Sequence, residues 1–213
     1  MDDKIMKNKE HSLSTTEKLV APIEVETRAL ISRDVLTTVI ENLEQLGAER
    51  ILDQRIEDAH FCPQNVRSFD EIAMNKVGSY GLRVRRITKS SGVESNINTK
   101  VLTRQNDHSS WREIESSIQS WESICQILEI IGFKCFFSIL KDRQTYELGE
   151  YTIVFDEIPD FGTVIEVEQL VDDINVDKAK NDTRHLLSQI GVLDRDILTT
   201  SVSRILMQKF AKF

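Results

Sequence analysis

The stretch Ile23-Glu24-Val25-Glu26-Thr27-Arg28-Ala29 decides how the rest of the chain is read. Two acids and a guanidinium alternate with Val25 and Thr27, as residues do along an extended strand. Successive side chains on a strand point to opposite faces, so Glu24, Glu26 and Arg28 project together while Ile23, Val25 and Ala29 share the other side. Taken alone, the segment fits an edge strand with one wet, charged face. Repetition argues for more than that. Leu82-Arg83-Val84-Arg85-Arg86, Lys100 among Val101, Leu102 and Thr103, Lys141-Asp142-Arg143 and Glu166-Val167-Glu168 follow the same grammar.

With 213 residues the chain can bury a substantial core, and we expect one domain over 21–213 behind a solvated, mobile leader at 1–20. Its 27 Lys+Arg against 35 Asp+Glu give a formal charge of −8, which argues against general attraction to nucleic acid or to an anionic membrane. Phosphate chemistry must then rest on local positive charge. Cys62, Cys125 and Cys135 are an odd set without CxxC spacing, which suits neither a disulfide framework nor a thiolate zinc site and points to a reduced, cytoplasmic setting. No segment of signal-peptide type opens the chain, and none approaches the ~18 consecutive apolar residues of a membrane span.

Working outward, Ser32 is placed to cap a helix whose apolar positions Val35, Leu36, Val39, Ile40, Leu43 and Leu46 recur at threes and fours, with Gly47 as its stop. Arg50 to Cys62 reads as extended and ends at Pro63; Gln64 to Gly78 is a polar connection. Strands are expected over Ser79–Ile87, Ile97–Arg104 and Trp111–Ile118, the last two joined by a polar turn. A second helix runs from about Ser120 to Ile131 and stops at Gly132. Further strands follow at Phe133 to Arg143, Tyr151–Glu157 and Thr163–Gln169, the last after a Pro159-Asp160-Phe161-Gly162 turn. Helical patterns then begin at Asp172 and again at about Asp194, the latter with Leu198, Val202, Ile205 and Leu206 on one side.

About eight strands, mostly joined by short turns, make an antiparallel sheet that tends to close into a barrel. The amphipathic helices need an apolar surface, and the sheet's apolar face is the one available. If they pack outside, the charged face becomes the lumen. A lumen of both signs is a poor core, because burying an unpaired ion costs several kcal/mol. As a wet tunnel for a highly charged ligand it makes sense. Arg and Lys supply donors for phosphate oxygens, and clustered carboxylates supply hard oxygen ligands for Mg²⁺ or Mn²⁺.

In this order of motifs the chain resembles the CYTH superfamily, the triphosphate tunnel metalloenzymes that include class IV adenylyl cyclases and thiamine triphosphatases. The family's Glu-x-Glu-x-Lys opening is matched by Glu24, Glu26 and, in place of lysine, Arg28. The resemblance continues through Leu-Arg-x-Arg (Arg83, Arg85), Thr-Lys (Lys100), Arg112 to Glu115 and Lys-x-Arg (Lys141, Arg143). It closes on Asp156, Gly162, Glu166 and Glu168, covering roughly 22–170. It implies an α+β fold, a closed eight-stranded antiparallel β-barrel with helices outside. It also implies metal-side acids Glu24, Glu26, Asp156, Glu166 and Glu168, and phosphate-side bases Arg28, Arg83, Arg85, Lys100, Lys141 and Arg143. Glu24, Glu26 and Arg28 would be the catalytic set. A guanidinium is a far poorer proton acceptor than a tuned lysine, so residue 28 bears on hydrolysis more than on phosphate binding.

The expected activity is divalent-metal-dependent cleavage of a phosphoanhydride bond in an organic or inorganic triphosphate. The alternatives are a class IV adenylyl cyclase and a non-catalytic polyphosphate-binding module. The expected partner is a small-molecule triphosphate (ATP, thiamine triphosphate or inorganic triphosphate) bound by a monomer or homodimer. Glu113 and Glu115 read as salt-bridge partners of lumen arginines. His11, His60, His108 and His185 show no ligand spacing and read as structural or surface residues. Arg184, Arg204 and Lys209 are candidates for a further cation over the tunnel mouth.

Overall fold

Alternation in β1 (Ile23–Ile31) puts Glu24, Glu26 and Arg28 on one face and Ile23, Val25, Ala29 and Ile31 on the other, and that second face is buried. The structure, a computed structural model, describes residues 22–213; the expected leader at 1–20 lies outside them. Seven more long strands follow: β2 (Glu49–Pro63), β3 (Tyr80–Lys89), β4 (Gly92–Leu102), β5 (Ser110–Ser117), β6 (Phe133–Leu148), β7 (Tyr151–Ile158) and β8 (Gly162–Val171). Each pairs antiparallel with its neighbours in the order β5-β4-β3-β2-β6-β7-β8-β1, and β1 returns to β5 through Ile23↔Arg112 to Val25↔Ser110. The result is a closed eight-stranded barrel. Closure removes the exposed edges that an open sheet of this width would leave.

Several strands extend further than the sequence pattern suggests. β3 and β4 form one long hairpin whose register runs to Lys89↔Gly92 across a two-residue turn, so residues 92–96 are strand rather than connection. β6 continues past Arg143 to Leu148 and pairs along nearly all of β2. The turn at Pro159 to Gly162 is as expected: Asp160 takes φ 59° and Gly162 φ 130°, and a Cβ at Gly162 would meet Leu30 Cδ1 at 3.3 Å. Glycine is therefore favoured there both by backbone and by space.

Helices α1 (Arg33–Gln45), α2 (Trp121–Ile130) and α3 (Val176–Gln189) pack outside the barrel. α1 and α3 bring Val39, Leu43, Leu186, Leu187 and Ile190 onto Ala29, Ile153, Phe155, Ile165 and Val167 of β1, β7 and β8. Each fully buried side chain of this size contributes roughly 1.5–3 kcal/mol relative to exposure. The outward polar residue of β1, Thr27, shares a 2.7 Å hydroxyl hydrogen bond with Thr183 of α3, so that position too is satisfied. Ser120 caps α2 by accepting from the Ser123 N–H at 3.1 Å, whereas Ser32 stands at the N-cap of α1 without a side-chain bond to the helix backbone.

The C-terminal stretch differs from its pattern. Residues Asp194–Asp196 form a single 3₁₀ turn, and β9 (Ile197–Leu198) adds to β1 beside Arg28 and Ala29. The last helix, α4, runs only over Val202–Phe210. Leu198 matched a helical stripe by spacing, but the unpaired C-terminal half of β1 offers backbone partners that a helix could not use. α4 closes one end of the barrel: Val202, Leu206 and Met207 join Cys62, Phe137, Ile139, Ile158 and Val164 in one apolar cluster. Cys62, Cys125 and Cys135 are all free.

Candidate active site

The inward faces of the strands meet in a cavity of about 220 Å³, lined by Glu24, Glu26, Arg83, Arg85, Lys100, Glu113, Lys141, Arg143, Asp156, Glu166 and Glu168. A water occupies about 30 Å³ of liquid, so the space suits a small ligand rather than a lone ion. Cross-strand register explains the gathering. Glu26 lies opposite Glu168, Arg28 opposite Glu166, Arg143 opposite Asp156, Arg85 opposite Asp58 and Lys100 opposite Glu113.

The acids divide into two groups. Glu24, Glu26 and Glu168 can each bring a carboxylate oxygen within 4.8 Å of the other two, close enough for three hard ligands of one ion. Burial pushes Glu168 up to about 6 and holds Glu24 well above the usual carboxylate range against the pull of Lys100. Glu26 moves the other way: although burial opposes it, Arg28, Lys100 and the Trp111 indole keep its carboxyl low. Trp111 Nε1–H donates to Glu26 Oε1 at 2.7 Å from a fully buried ring. Lys100 sits among these acids, paired with Glu24 and lying 3.5 Å from Glu26 and 3.4 Å from Glu113. Burial would lower its ammonium, but the surrounding carboxylates hold it raised.

Asp156 and Glu166 stand apart from that trio. Arg143 grips Asp156 with two bonds of 2.6 and 2.7 Å, Lys141 donates to the same carboxylate, and Arg143 lies 3.7 Å from Glu166. Asp156 is held far below the usual range: burial resists, and Arg143 and Lys141 prevail. Lys141 is lowered by burial and by Arg143 beside it.

Arg28 does not line the cavity. It is 2% exposed, with its guanidinium paired to Glu26, 3.4 Å from Glu166, and donating from Nη1 to the His108 carbonyl at 2.9 Å. The 103–109 connection is shaped for that contact. Asp107 accepts from the Ser109 N–H and hydroxyl and pairs with Lys180 of α3, while the Glu26 N–H donates to the Ser109 carbonyl.

Neither Asp58 nor His60 is among the expected site residues. Asp58 binds Arg85 through two bonds of 2.7 and 2.8 Å and lies 3.6 Å from Arg83, while Arg83 also donates to Asn98 Oδ1 at 2.8 Å and pairs with Glu113. Burial opposes the charge on Asp58, yet Arg85 and Arg83 hold it well below its ordinary value. His60, expected to be structural or at the surface, lines the cavity one inward step beyond Asp58. Strand alternation from Asp58 was the available signal for both. Of the three candidate mouth cations, Arg204 lines the cavity and stacks over Phe69 at 5.0 Å. Arg184 instead pairs with Asp194 on the surface, and Lys209 lies over Phe210. Glu113 lines the cavity as a partner of Arg83 and Lys100, and Arg112 points away toward Asp173 at 3.9 Å.

A closed antiparallel barrel with helices outside and an ion-lined lumen defines a tunnel-barrel protein. The sequence matches the CYTH domain over residues 22–201, and the chain belongs to that family. Among solved structures it is similar to the PH1819 protein of Pyrococcus horikoshii OT3, at TM-score 0.74 and 22% identity over 87% of this chain and 99% of that one. It is also similar to a proposed adenylate cyclase from Vibrio parahaemolyticus, at TM-score 0.72 and 18% identity over 87% and 98%. A third is a proposed adenylyl cyclase from Hippeastrum with a dominant triphosphatase activity, at 0.59 and 15% over 88% and 95%. At these identities the likeness is one of fold. No curated protein matches the sequence.

Proposed function

We propose that the chain is a divalent-metal-dependent enzyme that cleaves a phosphoanhydride bond of a triphosphate held in its tunnel. The observation that carries the reading is the division of one cavity into an acidic corner and a basic band: Glu24, Glu26 and Glu168 on one side, Arg83, Arg85, Lys141 and Arg143 on the other. The carboxylate-rich corner fits a hard ion such as Mg²⁺ or Mn²⁺, because three carboxylates there face two cations, Lys100 among them and Arg28 behind Glu26. When bound, that ion supplies Lewis-acid neutralisation of phosphate oxygens.

The chain's own residues do the rest. Arg83, Arg85, Lys141 and Arg143 exchange part of their pairing with Asp58, Asp156 and Glu166 for phosphate oxygens, which presents donors already fixed in place. Lys100 bridges the corner and the band. Phosphoryl transfer needs mainly such positioning and charge stabilisation. Arg28 in this reading orients Glu26 and Glu166 from behind and takes no proton. Its burial also favours a second reading, a binding module without turnover.

One assay separates these. Incubation with Mg²⁺ or Mn²⁺ and, in turn, ATP, thiamine triphosphate and inorganic triphosphate is followed by measurement of orthophosphate, pyrophosphate and cyclic AMP. Orthophosphate supports hydrolysis, pyrophosphate with cyclic AMP supports cyclisation, and binding without product supports the module. The doubly substituted Glu24→Gln, Glu26→Gln protein should lose turnover by at least about 100-fold, the scale of removing a key electrostatic group; full turnover would remove these acids from the mechanism.

A further inference from the structure

Three contacts fix the acid Glu26, and all three come from residues 108–111. Its backbone N–H donates to the Ser109 carbonyl at 3.0 Å, its Oε1 accepts from Trp111 Nε1 at 2.7 Å, and Arg28, paired with it, donates from Nη1 to the His108 carbonyl at 2.9 Å. The first two are secured by the sheet. β8 pairs with the Glu26 backbone through Glu168, and Trp111 is held in its ladder opposite Glu24 and Leu102. The His108 carbonyl has no such support: it lies in the 103–109 connection, between Leu102 at the end of β4 and Ser110 at the start of β5.

We propose that Asp107, which lies outside the cavity, is a positioning residue for Glu26. It locks the 103–109 connection to α3 and so fixes the carbonyl that holds Arg28 against that acid. The inference rests on the reading of Glu24, Glu26 and Glu168 as the ion site and adds to it how one of them is kept aimed.

Asp107 uses both of its oxygens. Oδ1 accepts from the Ser109 N–H at 3.1 Å and from its hydroxyl at 2.6 Å, while Oδ2 accepts from the Ser110 hydroxyl at 2.8 Å and pairs with Lys180 of α3. Burial opposes the charge, yet Lys180, Ser109 and Ser110 hold the carboxyl down at about 2, so the brace is charge-assisted at neutral pH. Arg28 depends on it. The Arg28 side chain is buried, and its Nε and Nη2 have no hydrogen-bond partner of good geometry, so the bond from Nη1 to the His108 carbonyl is its directional constraint. A guanidinium is planar, and a directed bond at one nitrogen sets where the others stand against Glu26 and Glu166. A lysine carries a single nitrogen and could not pair with the acid and reach the loop from separate atoms. The arginine that stands in place of the family's lysine thus brings the loop, and through it α3, into the support of the ion site.

The test is the Mn²⁺ affinity of the full chain by calorimetry without any triphosphate, with circular dichroism to check the fold. Asp107→Ala should weaken binding by about tenfold, the lower end for outer supports of an ion site. Lys180→Met leaves the bonds from Asp107 to Ser109 and Ser110 in place and should weaken binding in the same direction; it carries the test if Asp107→Ala does not fold. The route through Arg28 is read in the Arg28→Lys background, where Asp107→Ala should cost less than about threefold more, whereas uncoupled sites would add their losses in full. A further loss of about tenfold there, or unchanged affinity in both single variants, overturns the positioning role and leaves the ion site standing. If the unaltered protein binds no Mn²⁺, or if Glu24→Gln combined with Glu168→Gln binds it unchanged, the ion reading falls and the positioning role with it.

Discussion

Acidification from pH 7 to pH 5 should destabilise the protein through His60, and His60→Gln should remove that component. Burial is the main cause of the depression of this imidazole to about 3; Asp58 pulls it up, while Arg83, Arg85 and Lys141 push it further down. In the unfolded chain it titrates near ~6.5. Below that pH the unfolded state binds a proton that the folded state refuses, so stability falls as pH falls and continues to fall until about 3. The slope approaches ~1.4 kcal/mol per pH unit, which makes roughly 2 kcal/mol at pH 5. For a chain of this size that is about 4–8 °C in Tm. Glu168, raised to about 6, and Glu24 act with the opposite sign, because their folded carboxyls accept protons more readily than unfolded ones. The raw pH profile therefore mixes the two. The difference between unaltered protein and His60→Gln isolates the imidazole, since glutamine does not titrate. Thermal unfolding followed by circular dichroism at pH 7, 6 and 5 measures it. Parallel curves for the two proteins would refute the reasoning.

Two further outcomes follow from the ion-pair network. Asp58→Ala strands Arg85 in a buried site and removes a neighbour of Arg83, so it should lower unfolding stability by about 3–5 kcal/mol in urea titration; Asp58→Leu combined with Arg85→Met should recover a large part of this loss. Trp111→Phe keeps the packing but withdraws the indole N–H from Glu26. It should weaken Mn²⁺ binding by about tenfold or more in calorimetry with the fold intact by circular dichroism, and unchanged affinity would show that Glu26 needs no such support.

Period-two patterning made the barrel legible because each strand carries charge on one side and aliphatic bulk on the other, and only one closed arrangement shields the second. Glu24, Arg83, Lys141 and Glu168 could be placed on a common surface from alternation alone. Which of them touch was not legible, because contact depends on register across strands. The sequence cannot distinguish an Asp156 that joins Glu24 and Glu26 from one held by Arg143, although the difference separates an acid near the proposed ion from one near the proposed phosphates. β9, and with it the later start of α4, escaped for a related reason. Leu198 fits a helical stripe, and only the unpaired end of β1 draws it and Ile197 into the sheet.

The same dependence on register hid the apolar end of the tunnel. Ile139, Ile158 and Val164 look like ordinary core residues in their own segments, and the shift at His60/Phe61 in β2 breaks simple counting next to them. Once the strands are aligned, each falls on the lumen side of a charged neighbour, beneath a helix whose own apolar residues face them.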